Sequence, residues 1–324
     1  MGDSLLLSIC IPTYNRAAAL KEALSSILPQ VAERVDVEIV ICDNASTDAT
    51  PDDCRELAAT QPRVRYFRSE SNVGMDGNVK ACFEQARGMY VSLFSDDDVA
   101  TPAFFTRLIA RLEQYRPALL YANHTPFFGG DPVCLGRPQA AVVGPVVLDG
   151  RAFFMRFGLG FISALTIRAD LGRQFLDRIV LWEGTAHMDI AARVSLSVVA
   201  PCVYDGTLMV LARQDEGAGS RILRYGVVHV LRAYERLGAE GFLSVADIQF
   251  LRRRNLVPIL PRCILNNRCN DEEIFSFTQL MRLFGRDPRF YVAAPLLMIP
   301  ARWVRAVAVP LRAFVRKRRR VGHG

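Results

Sequence analysis

The chain has 324 residues, 51% hydrophobic and 23% charged, which is apolar material for one large domain or two ordinary ones and excludes global disorder. Its net charge of +7 is unevenly placed: residues 302–324 hold eight Lys or Arg and no acid, so the rest sums to −1 and the basic character belongs to the tail. The eight cysteines (10, 42, 54, 82, 134, 202, 263 and 269) contain no CxxC pair, which speaks for a reducing compartment and against a structural zinc site.

The first sixteen residues, MGDSLLLSICIPTYNR, lack a basic start and run straight into a strand pattern, so no cleaved secretory signal is expected. Leu5 to Ile11 is rich in Leu and Ile and does not alternate, as suits a strand covered on both faces. A helix pattern follows over Ala17 to Leu28, then the strand VEIVIC (Val37 to Cys42). Thr50 is placed to cap a second helix, with Pro51 first in it and Asp53 three positions on. VRYF (Val64 to Phe67), a helix around Asn78 to Ala86, the strand MYVSLF (Met89 to Phe94) and a helix begun by Thr101-Pro102 complete the alternation. Four strand–helix repeats predict an α/β fold with a doubly wound, mainly parallel sheet and right-handed crossovers.

From Tyr121 the pattern loosens. A Gly- and Pro-rich stretch (Phe127 to Pro145) reads as loops and short strands. Helical segments are expected near Arg151 to Phe157 and Ala169 to Asp177, and Trp182 to Val194 reads as a loop entering a helix. Beyond Leu211 the sequence turns helical and basic. These readings divide the chain into 1–215, with halves 1–120 and 121–215, and a helical region 216–324.

Ligands of such sheets bind beyond the carboxyl ends of the strands. The segments there are PTYNR (Pro12 to Arg16), DNASTD (Asp43 to Asp48), SESNVG (Ser69 to Gly74) and SDDD (Ser95 to Asp98), all expected to face one crevice. Three adjacent carboxylates repel one another, and burial would worsen this, so a cation is expected beside them. Mg²⁺ or Mn²⁺ takes hard oxygen ligands, commonly one or two carboxylates completed by phosphate oxygens and water; the plainer account is a solvated turn or cap. DNASTD likewise has a plain account in turns and caps, yet Asp43 leaves its strand where a carboxylate can accept from a nucleobase N–H, with Tyr14 against the base face.

Together, SICIPTYNR, EIVICDNASTDAT, the Asn72-Val73-Gly74 element and SDDD in the place of a DxD motif resemble the family 2 glycosyltransferases of GT-A fold, over roughly the first 100 residues. The likeness is greatest to the branch of abequosyltransferases and other O-antigen or capsule sugar transferases. The resemblance implies an inverting transfer from a UDP-, CDP- or dTDP-sugar, dependent on Mn²⁺ or Mg²⁺. Pro12, Thr13 and Tyr14 would line the nucleoside pocket, Asp43 would contact the base, Arg16 and Asn44 would also bind the donor, and Asn72 and Gly74 would help shape the donor site, with Asn78 close by. The family motif usually reads Asp-x-Asp-Asp. With Ser95 in its first place, Asp96 falls near the ribose, Asp97 leads the metal ligands and Asp98, beside it, is the second candidate ligand.

The family's general base often stands in a Glu-Asp-x-Asp stretch, with an Arg four residues past the final Asp. In HMDIAARV, Arg193 is four past Asp189, so His187 takes the usual base position and Asp189 is a rival base or its partner. The plain reading of His187 is a helix-start residue. Arg213 can hold a diphosphate through its fork or be an ordinary surface arginine. A sugar nucleotidyltransferase is the rival enzyme class, but it needs a Gly-rich basic loop where this chain has PTYNRAAA; Ser95 and His187 also leave room for a catalytically inactive nucleotide-sugar-binding scaffold.

In the tail, Arg302, Arg305, Arg312 and Arg316 fall on one helical face and Trp303, Val307, Leu311 and Phe314 on the other. The longest uncharged stretch there, Phe290 to Ala301, has 12 residues and two prolines, too short to span a bilayer. This predicts a cytoplasmic protein, peripheral at an anionic membrane surface and meeting a lipid-linked saccharide acceptor there. A helix packed on the catalytic domain is the bland alternative. No nucleic-acid module is present in the tail.

Overall fold

The computed structural model describes residues 5–128, 141, 143–214, 227–259, 277–285, 288 and 290–293. The chain divides into two compact units, Met1–Asp215 and Glu216–Gly324. In the first, the apolar runs become β1 (Leu7–Thr13), β2 (Val37–Asp43), β3 (Val64–Arg68) and β4 (Tyr90–Leu93), parallel and ordered β3–β2–β1–β4. Helices α1 (Ala17–Val31), α2 (Thr50–Thr60) and α3 (Gly74–Gln85) make the crossovers that parallel neighbours require. β2 is buried along its whole length, which is why it is mostly apolar on both faces rather than alternating, its one internal charge, Glu38, being paired with Ser8 and Arg65. Each fully buried Ile of β1 and β2 (Ile9, Ile11, Ile39, Ile41) contributes about 1.5–3 kcal/mol.

Beyond β4 the sheet becomes mixed. β8 (Leu165–Arg168) pairs antiparallel with β4 and with β6 (Leu119–Phe128), and β6 runs parallel to β9 (Cys202–Gln214). β5 (Val99–Ala100) and β7 (Pro145–Leu148) add antiparallel to β9, so six of nine strands share one direction. The ten-residue β6 extends through Phe128, past the point where loops are expected from the sequence. β9 accommodates three extra residues against β6 beside Asp205, whose carboxylate takes the Thr207 N–H at 2.9 Å and the Arg111 guanidinium at 2.6 Å.

Two expected caps are replaced by other partners. Thr50 lies inside α2, and Asp48 accepts its N–H at 3.0 Å. α4 (Phe104–Tyr115) starts after Ala103, in the left-handed region at φ 61°, because the Thr101 hydroxyl is spent on the Met209 carbonyl at 2.7 Å. α5 (Gly150–Phe157), α6 (Ala169–Arg173) and α7 (Ala186–Ser197) follow. α5 and α7 touch backbone to backbone: a Cβ on Gly150 would stand 1.6 Å from the Ser195 carbonyl oxygen. Gly150→Ala is therefore expected to cost about 3 kcal/mol, read as a fall in melting temperature by calorimetry; an unchanged value would refute the close approach.

The described cysteines, Cys10, Cys42, Cys54, Cys82 and Cys202, are buried free thiols. The second unit is helical where described: α8 (Val230–Ala239), α9 (Val245–Leu251), α10 (Phe277–Phe284) and α11 (Phe290–Ala293). α9 begins with a reciprocal Ser244–Asp247 capping box. The amphipathic segment carrying Arg302, Arg305, Arg312 and Arg316 lies outside the described residues.

Candidate functional site

The loops after β1 and β2 are bound to each other. The Asn15 N–H donates to the Ser46 hydroxyl at 2.8 Å, the Asn15 side chain takes the Thr47 N–H at 2.7 Å, and the Asn44 N–H reaches the Thr13 carbonyl at 2.9 Å. Asn15 and Ala45 have positive φ (52° and 63°), tolerated for asparagine and costly for alanine. Asp43, fully buried, accepts from the Ser46 N–H at 2.9 Å and the Tyr66 hydroxyl at 2.7 Å, with Arg68 at 3.6 Å. Its carboxylate thus organises the loop. Tyr14 is well exposed at the tip of β1, while Thr13 is buried and Pro12 half-buried beside it.

Asn44 and Asn72 join the next pair of loops. The Asn44 amide donates to Asn72 at 2.8 Å and accepts the Val73 N–H at 2.8 Å, and Asn72 accepts the Gly74 N–H at 2.9 Å. Asn78 reaches across to the Cys42 and Thr13 carbonyls at 2.9 and 3.3 Å. It pins the ends of β1 and β2 together as a scaffold for the loops that follow them.

SDDD closes onto the β1 loop. Arg16 forms an ion pair with Asp97 and stands 3.9 Å from Asp96, which is the cation that three adjacent carboxylates call for. The Ser95 hydroxyl donates to Asp97 at 2.6 Å. Burial, and then the charge of Asp97, push the Asp96 carboxyl up to about 6, against the opposing pull of Thr13, the Tyr14 N–H and Arg16. Burial and Asp97 likewise raise Asp98 to about 7. Asp98 faces inward: the Ser163 hydroxyl donates to it at 2.5 Å and the Arg213 N–H at 3.0 Å. Arg213 closes the same knot, donating to the Asp97 carbonyl at 2.9 Å, lying 4.7 Å over the Phe127 ring and pairing with Glu22.

The described residues contain no cluster of three or more His, Cys, Asp or Glu side chains set to hold an ion by themselves. Mg²⁺ and Mn²⁺ need only one or two protein carboxylates when phosphate oxygens and water supply the rest. Asp97, with 18% of its side chain open against 9% for Asp96, fits that demand. Asp98 does not, because both its oxygens are engaged within the fold.

His187 and Asp189 lie in the first turn of α7, both buried. The ring Nε2 of His187 lies 3.3 Å from the Gly160 carbonyl, which can only accept, so this nitrogen carries the proton. Nδ1 is buried and makes no hydrogen bond. Burial lowers the imidazole pKa, countered by the Gly160 bond and by the charge of Asp76. Asp189 stands 3.8 Å from the fully buried Arg193. The segment 160–163 links this corner to the carboxylates, since Ser163 also accepts the Ser95 N–H at 2.8 Å. Three residues span at most about 11 Å, so His187 and SDDD are held at two ends of one short strut.

Asp76 is the residue that the sequence reading passes over. From the first turn of α3 its carboxylate accepts three backbone N–H groups, Glu183 at 2.7 Å, Gly184 at 2.6 Å and Ala186 at 2.8 Å. It thereby fixes the loop that delivers His187. Asp76→Ala would leave three donors unmet at about 1–3 kcal/mol each in the worst case. The expected result is a melting point lowered by several degrees together with lost ligand response; a variant as stable as the parent would contradict the role.

Residues 8–155 match the family model described as glycosyl transferase family 2. Abequosyltransferase RfbV of Salmonella typhimurium is 43% identical over 96 residues, 29% of this chain and 28% of that protein. The GalNAc(5)-diNAcBac-PP-undecaprenol beta-1,3-glucosyltransferase of Campylobacter jejuni is 34% identical over 93 residues, 28% of this chain and 29% of its own. The matches thus span less than a third of either relative. Among solved structures, the mannosyltransferase PcManGT of Pyrobaculum calidifontis, determined with GDP-Man and Mn²⁺, superposes with a TM-score of 0.57 at 16% identity over 93% of this chain and 87% of that one. The shared architecture is the GT-A fold, and the match to glycosyl transferase family 2 runs from β1 into α5, a little under half of the chain.

Proposed function

We propose that the chain is an inverting, metal-dependent glycosyltransferase that moves a sugar from a UDP-, CDP- or dTDP-linked donor to a lipid-linked saccharide in bacterial surface polysaccharide synthesis. The observation that carries this reading is the strut 160–163, which holds the acidic corner of SDDD and the imidazole of His187 a short, fixed distance apart. A divalent ion, when bound with the donor, offsets the negative charge gathering on the departing diphosphate, and Asp97 would hold it. Arg16, which pairs with Asp97 at this corner, carries the guanidinium fork that would meet the donor's phosphate oxygens. His187, with its proton kept on Nε2 by Gly160, holds an unprotonated Nδ1 that would take the acceptor hydroxyl's proton once acceptor binding uncovers this buried nitrogen. The hydroxyl proton passes to Nδ1 as its oxygen bonds to the anomeric carbon and the bond from that carbon to the diphosphate breaks. Asp189, set against Arg193 in the core, supports α7.

The relative that acts on an undecaprenol-linked saccharide and the neighbour that holds Mn²⁺ favour the same assignment. No described helix is long and apolar enough to cross a membrane, and the basic tail suits peripheral attachment to an anionic leaflet. A thermal-shift screen with UDP, CDP, GDP and dTDP in Mn²⁺ identifies the base. Turnover of the matching radiolabelled nucleotide-sugars with membrane lipid acceptors, with and without Mn²⁺, then tests the reaction. Tight nucleotide binding without turnover of any donor would favour the inactive scaffold instead.

A further inference from the structure

Trp182 stands out on the surface of the first unit. It is 62% exposed, and its backbone has φ 67°, in the left-handed region, where a bulky side chain is a genuine outlier. Such strain persists only when the surroundings over-determine it, and it concentrates at ligand sites. Here the surroundings do so. The next residues, Glu183 and Gly184, are clamped by Asp76 at 2.7 and 2.6 Å. The indole lies on Gly74, itself at φ 75°, so closely that a Cβ there would stand 2.8 Å from Cε3 of the ring. Glycine at 74 is what lets the ring lie down.

The position is also specific. Gly74 hangs from Asn72 and Asn44 at the donor-side loops, while Trp182 precedes His187 by five residues on a loop that Asp76 fixes at both ends. One face of the indole rests on Gly74 and the side chain is otherwise largely exposed, on the loop that leads into α7 and His187. Sugar rings present flat patches of C–H groups edged by hydroxyls, and an indole offers an apolar face of matching size, negative at its centre. A ring held in place before binding loses little freedom when it is covered.

Taking the glycosyltransferase reading of this cleft as its premise, we infer that Trp182 is the platform on which the acceptor saccharide stacks, with Asp76 and Gly74 holding it in position. It makes no covalent step; it orients the sugar whose hydroxyl faces His187.

The chain has two tryptophans, so Trp303→Phe leaves Trp182 as the sole indole reporter. In that full-length variant, titration with methyl glycosides of hexoses and deoxyhexoses is expected to shift or quench the emission. Phosphatidylcholine–phosphatidylglycerol vesicles are expected to leave it unchanged. With the lipid-linked acceptor, Trp182→Ala is expected to raise the acceptor KM by about 10-fold, Trp182→Phe less, and both to keep the donor KM and the nucleotide-induced thermal shift. An unchanged acceptor KM in Trp182→Ala, an emission that no glycoside moves, or one that only vesicles move would each overturn the platform. Absence of any nucleotide response in the parent protein would instead sink the glycosyltransferase reading, and the glycoside titration is scored separately from it.

Discussion

Asp97→Asn is expected to reduce release of nucleoside diphosphate from the matching nucleotide-sugar by about 10²–10³-fold, the size of effect that follows loss of one preorganised group facing transition-state charge. The exchange keeps the side chain's shape and an oxygen for the Ser95 hydroxyl, so the loss would be electrostatic. Stability should move the other way or hardly at all. The charge of Asp97 helps raise the carboxyls of both Asp96 and Asp98, and removing it relieves that repulsion. Against this stands the ion pair with Arg16, part-exposed at 35% and 18% and therefore worth about 0–1 kcal/mol. Initial rates across a Mn²⁺ series, beside melting curves of the metal-free protein, separate the two effects. Turnover within a factor of ten of the parent would remove Asp97 from the site.

His187→Ala is expected to lower kcat by about 10²–10⁴-fold, as loss of a positioned general base does. The pH profile identifies the base. A proton acceptor must be neutral imidazole, and burial holds His187 below its ordinary pKa of about 6.5. The acid limb of kcat/KM should therefore lie below that value, with activity rising as pH rises through it. The linkage has the same sign for stability. Below about pH 6.5 the unfolded chain binds a proton that the folded chain resists, so the contribution of His187 is present above the unfolded pKa and is lost as pH falls. Asp189→Asn should instead act mainly on stability, because that carboxylate faces the buried Arg193. Should His187→Ala retain the parent profile while Asp189→Asn abolishes turnover, the roles are reversed.

Much of residues 1–120 is readable in the sequence because its signals are local. β1 and β2 are buried on both faces, so each appears as a mainly apolar run without alternation, and the chain leaves each of β1 to β4 through polar turn residues. β8 was unreadable: four residues, LTIR, carry no period, and only the edges of β4 and β6 make them a strand. Asp98 looked like a metal ligand from its neighbours in sequence, but its partners are Ser163 and Arg213, 65 and 115 residues away. Asp76 was invisible for the same reason. An acid in the first turn of a helix is ordinarily read as a complement to the helix dipole, whereas its three acceptor contacts lie 107 to 110 positions further on.

The buried thiols carry a practical consequence. Burial raises Cys54 and Cys202 to about 12 and lifts Cys10 and Cys82 as well, and the thiolate is the form that alkylates. At neutral pH these four sulfurs are shielded from a maleimide twice over, by lack of access and by lack of ionisation. Their labelling therefore requires the sheet and the helices packed on it to open, so the rate at which a slow alkylating reagent modifies them meters how often the folded state breathes.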